Sequence, residues 1–138
     1  MIATARLQTR SIHIHVHEFM SLDGVIDAPT WTFEYGFDPK IGEAIGAVTE
    51  RCRGILLGRT TYEMFEPAWS TRTMEDDPGA PFFNDMAKYV VSATLTTATW
   101  KNSKIVGPYD PDAIRSLKDD ATAWEGLRVA APATRSVQ

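Results

Sequence analysis

The chain has 138 residues, 43% hydrophobic and 23% charged, with a net charge of −4 and one cysteine. This is enough apolar material for one domain core, and the composition is not that of a disordered segment. The acidic balance argues against non-specific binding to nucleic acid, a lone cysteine excludes an internal disulfide, and no apolar run approaches the ~20 residues of a membrane span.

Residues 1–10 carry arginines with no apolar stretch behind them, so they read as a tail and not as a signal peptide. A single domain is assigned to residues 11–138, in a cytoplasmic setting. Ser11 to Met20 alternates Ile12, Ile14 and Val16 with His13, His15 and His17, the period of a strand. Ser21–Asp27 is a turn-bearing loop around Asp23-Gly24. Ala28–Pro39 is a longer loop with Trp31, Phe33, Tyr35 and Phe37, aromatics that pack on the domain or line a ligand slot. Pro39–Arg53 has helical spacing at Ile41, Ile45 and Val48, with Gly54 expected to end it. Ile55–Gly58 is a strand of the kind buried on both faces. Arg59–Phe65 starts a second helix with Thr60 or Thr61 as its cap, and the acidic, proline-bearing stretch Pro67–Pro81 is expected to be a surface loop. A helical turn over Pro81–Ala87 precedes strands at Lys88–Ser92 and Ser103–Val106. A helix over Asp110–Asp119 is capped by Asp110 with Pro111 at its first position, and Gly126–Ala131 is the last strand. Alternating elements with buried-type strands predict an α/β fold around a mostly parallel sheet.

Gly58-Arg59-Thr60-Thr61 follows a buried strand and opens a helix. Ligands of open α/β sheets sit at strand carboxyl ends, where a helix N-terminus offers N–H groups to a phosphate. Gly58 permits close backbone approach, Arg59 can grip a terminal phosphate such as the 2′-phosphate of NADPH, and Thr60 and Thr61 can donate hydroxyl hydrogen bonds. The competing reading is a capped helix with a surface arginine. Val91-Ser92-Ala93-Thr94 repeats the pattern of buried strand followed by small hydroxyl residues. Asp23, at the end of the first strand, can orient or protonate a substrate, or serve turn chemistry alone. The outer two of His13, His15 and His17 stand roughly 13 Å apart on one strand face, too far for one metal, and Glu18 and Asp23 do not complete a ligand set, so no metal is expected. Arginines on either side of Cys52 would lower a thiol pKa, though a small residue near a helix end needs no such role. GxGxxG, P-loop, GxSxG and CxxC motifs are all missing.

Ser21-Leu22-Asp23-Gly24-Val25-Ile26 after a strand, Gly54 to Glu63 after a helix, and Lys88-Tyr89-Val90-Val91-Ser92 thereafter resemble, in this order, the dihydrofolate-reductase-like family that includes the reductase domain of riboflavin biosynthesis, the RibD C-terminal domain. The resemblance spans about residues 12–135. It implies a three-layer α/β sandwich, with a mostly parallel, twisted central sheet flanked by helices. It places NADPH across the strand ends, with Gly58, Arg59, Thr60 and Thr61 at its phosphates and Ser92 near the adenosine. The Ser21–Ile26 loop, Ser21 among the cofactor contacts, would cover the nicotinamide. Asp23 would act on the substrate, with Trp31 beside it. The implied reaction is hydride transfer to a C=N or C=O bond of a small pterin- or pyrimidine-like molecule, carried out by a homodimer. Three departures accompany it. The last strand runs into Ala130-Ala131-Pro132-Ala133-Thr134 where the family has a glycine- or serine-rich turn, and Pro132 cannot donate to a phosphate. The family pattern continues for a further helix and pair of strands, so these are expected to be missing from the sheet. Glu43 is the only acid within the first helix before its end, so folate reduction is not expected. The alternative is a non-catalytic remnant of the fold that serves as a binding or interaction domain.

Overall fold

The computed structural model describes residues 13–26, 38–120 and 127–130. The expected tail, Trp31 and Pro132 lie outside them. Nine elements follow one another: β1 (Ile14–His17), α1 (Pro39–Thr49), β2 (Gly54–Gly58), α2 (Arg59–Trp69), α3 (Ala80–Asp85), β3 (Ala87–Val91), β4 (Ser103–Gly107), α4 (Pro111–Asp120) and β5 (Leu127–Ala130). The strands form one sheet in the order β1-β5-β2-β3-β4, and every pairing is parallel.

β2 lies at the centre, and its residues Gly54 to Leu57 are buried. A strand paired on both sides and covered on both faces must be apolar throughout, which is why Ile55-Leu56-Leu57 shows no alternation. β1 is an edge strand, and its alternation does not sort into a buried and an exposed face: Val16 is exposed while His17 is half-buried. In β4, Val91 pairs with Gly107 directly after Val90 pairs with Ile105, so Val106 is an extra residue in the ladder.

Most boundaries shift by a residue or two from expectation, and three differences stand out. α1 stops at Thr49, not Arg53, and Gly54 opens β2. Thr49 donates its hydroxyl to the Gly46 carbonyl at 3.0 Å, and the Cys52 N–H turns back onto the Thr49 carbonyl at 3.0 Å, which takes the chain out of the helix early. The start of α1 is set by Asp38, whose carboxylate accepts from the Lys40 N–H at 2.8 Å ahead of Pro39 at the first position. α2 continues through Pro67 to Trp69, where a loop was expected. An interior proline costs about 3 kcal/mol of helix, and the aromatic packing of that last turn offsets it. Trp69 stacks on Phe83 of α3 at 4.3 Å, and Phe65 meets the same ring edge-on at 5.6 Å. The third difference is the cap of α2. It is Gly58, with no side-chain hydrogen bond, and not Thr60 or Thr61, which lie inside the first turn.

The core centres on Ile55, Leu57, Tyr62, Val90 and Trp100. β3 and β4 are joined without a helix, and Trp100 anchors their connector. Its backbone N–H donates to the Tyr62 hydroxyl at 2.9 Å, and its indole N–H donates to Asn84 Oδ1 at 2.8 Å. Asn84 also donates to the carbonyls of Trp69 and Arg72, tying the ends of α2 and α3 together. Lys88 is wholly buried beneath this layer. Its ammonium donates to the carbonyls of Phe83, Met86 and Asn84 at 2.6, 2.9 and 3.4 Å, closing the C-terminus of α3.

Candidate functional site

Because the sheet is parallel, all its strands end on one edge. Registers bring these ends level: His17 pairs with Ala130, Ala130 with Leu57, Gly58 with Val91, and Val91 with Gly107. The turns after β2 and β3, singled out separately in the sequence, are therefore neighbours.

Gly58 has φ −78°, a conformation open to any residue, so backbone strain does not demand glycine here. A Cβ built on it would meet nothing within 4 Å, which leaves open space over the helix start. No side chain caps α2, so its first N–H groups face this edge with the positive end of the helix dipole. Arg59 donates its Nε to Glu63 Oε1 at 2.8 Å and its Nη1 to Thr94 Oγ1 at 2.6 Å. Those contacts engage two of the five donors of a guanidinium and carry the side chain across to the exit of β3, with about half of its surface exposed. Thr60 is exposed, whereas Thr61 is buried and faces the interior beside Tyr62. Ser92 is buried, and its hydroxyl accepts from the N–H groups of Thr94 and Leu95 at 3.2 and 2.9 Å, shaping the loop that carries Thr94.

At the β1 end of the same edge, Ser21 organises a tight turn. Its N–H donates to the Val25 carbonyl at 3.0 Å, its hydroxyl oxygen accepts from the Val25 N–H at 2.9 Å, and the same hydroxyl donates to Asp23 Oδ1. Gly24 takes φ +88°, the left-handed region that favours glycine. Ser21 thus fixes the loop, while Asp23 is held exposed on it. An open hollow of about 440 Å³ is bounded by the end of β1 and by one face of α1 along its length, from Lys40 to Val48. His17, Asp38 and Lys40 rim it, and Ile41, Ala44, Ile45 and Val48 form an apolar wall. It lies to one side of the Gly58–Arg59 turn, and none of the residues of that turn lines it.

Glu18 did not stand out in the sequence beyond a failed metal set. It directly follows β1, its Oε2 is enclosed and has no hydrogen-bond partner among the described residues, and burial pushes its carboxyl above the ordinary glutamate range. The only sequence signal was its position, one residue past an alternating run. Among the described residues, no three His, Cys, Asp or Glu side chains are grouped to hold a metal ion, and no helix is long and apolar enough to cross a membrane.

An open parallel α/β sheet with an uncapped helix start, a poised arginine and an apolar hollow along its carboxyl edge has the form of a small-molecule-binding domain. The chain belongs to the RibD C-terminal domain family, whose profile matches residues 12–124. Its α/β architecture is the dihydrofolate-reductase-like fold of that family. β5 lies beyond the matched span. No curated protein matches the chain significantly.

Proposed function

We propose that this domain is an NADPH-dependent reductase that transfers a hydride to a C=N or C=O bond of a small heterocycle. The observation that carries the reading is the Gly58–Arg59 turn. Open space lies over Gly58, the start of α2 has no side-chain cap, and Arg59 is bridged to Thr94 at the neighbouring strand end. These residues fit a dinucleotide phosphate. The N–H groups of the first turn of α2 would meet the pyrophosphate, the guanidinium would take the 2′-phosphate, and Thr60 would add a hydroxyl. In this reading Thr61 holds the helix from inside and Ser92 shapes the adenosine end, both through buried positions.

The turn Ser21–Val25 and the hollow at His17 would hold the nicotinamide and the substrate, with Asp23 facing the reacting ring. NADPH supplies the hydride, while the protein positions the two partners and excludes water. A homodimer in the cytoplasm is part of the same proposal.

Thermal-shift titration with NADPH tests it. A ligand at 100 times its Kd stabilises by about 2.7 kcal/mol, so even weak binding registers. The expected result is a concentration-dependent rise in Tm that Arg59→Ala largely abolishes, with a smaller effect of that variant on NADH. No rise at millimolar NADPH would leave the non-catalytic binding domain as the better reading.

A further inference from the structure

We propose that Glu18 is the acid that supplies the proton to the heteroatom of the bond being reduced, a role that rests on the reductase reading above. Register places it. His17 pairs with Ala130 and Ala130 with Leu57, so the next residue, Glu18, lies level with Gly58 and two strands away, about 10 Å at ~4.8 Å per strand. It therefore sits at the β1 end of the edge, directly after β1 and three residues before the Ser21–Val25 turn. The turn proposed to bind phosphate begins at the central strand, two strands away.

Asp23, the acid that the sequence offers first, is exposed and accepts from the Ser21 hydroxyl. Glu18 is the opposite case. An enclosed carboxylate oxygen without a partner is costly when ionised and tolerable when the group keeps its proton. Burial is the cause of its raised pKa; the titratable groups in the adjoining segments, His17, Asp23, Asp38 and Lys40, are not. A carboxyl whose hold on its proton is strengthened by burial is suited to proton donation.

The step balances. Hydride brings two electrons to the carbon of the C=N or C=O bond, and the π pair moves to the heteroatom. That atom takes the proton as the Glu18 O–H bond breaks, and solvent returns a proton to the carboxylate afterwards. One NADPH and one proton are consumed.

The full chain labelled with ¹³C at glutamate Cδ provides the test, followed by NMR from acid to neutral pH with and without NADPH. Glu18→Gln and Glu18→Asp each remove the Glu18 signal, so assignment does not depend on either variant alone. The expected result is a Glu18 titration above the ordinary glutamate range that moves higher still when NADPH is added, because the nicotinamide displaces water from the carboxyl. An ordinary titration, or a raised one that ignores bound NADPH as a purely structural acid would, overturns the proposal and leaves the reductase reading standing. Failure of the wild-type chain to bind NADPH by thermal shift overturns that reading and this proposal with it.

Discussion

Replacing Lys88 with methionine removes a charge and keeps an unbranched side chain of similar length. In the native protein the ammonium is fully enclosed, lies 4.4 Å from the Trp100 ring centre, and satisfies the carbonyls of Phe83 and Met86 at 2.6 and 2.9 Å. Each buried acceptor left without a donor costs about 1–3 kcal/mol. Relief of the buried charge returns part of that, so the net loss is about 2–4 kcal/mol, or roughly 10 °C in Tm at about 3 °C per kcal/mol. The pH dependence has a definite sign. Burial pushes Lys88 down from its ordinary 10.5 to about 8. Between those values the unfolded chain holds the proton and the folded chain releases it, so the contribution of this group to stability rises with pH. Lys88→Met should flatten that rise. Calorimetry of both proteins from pH 7 to 10 checks it. An unchanged Tm at neutral pH, together with parallel pH profiles, would refute the view that Lys88 closes α3 as a desolvated donor.

Tyr62→Phe deprives the buried Trp100 N–H of its acceptor and should cost about 1–3 kcal/mol in chemical denaturation. Gly58→Val suits the extended backbone at that position, so Tm without ligand should hold while NADPH affinity falls by about tenfold, roughly 1.4 kcal/mol. Thr94→Val unties Arg59 from the β3 exit and should weaken NADPH binding while leaving the fold intact, as read by the same titration. Gly24→Ala forces a side chain into the left-handed region at a cost of about 1–2 kcal/mol, which should speed amide exchange in the Ser21–Val25 turn.

Sequence alone determined the order and type of the elements, because each depends on nearest-neighbour physics. The continuous apolar run Ile55–Leu57 announces a doubly covered strand, Pro111 behind Asp110 starts a helix, and Asp23-Gly24 makes a turn. The same local logic found Gly58–Arg59 and Ser92 as strand-end features and carried the family resemblance. Tertiary structure decided what depends on contacts between distant segments. The run of α2 through Pro67 is set by rings from α3, which no window around the proline contains. Thr61 and Ser92 look like ligand contacts in the sequence, yet packing in the fold buries them, while Arg59, Thr60 and Asp23 remain at the surface. Glu18 was visible only as one more charged residue after a strand. Its oxygen is enclosed and unpartnered only in the folded chain, and desolvation is a property of the surrounding protein and not of the glutamate.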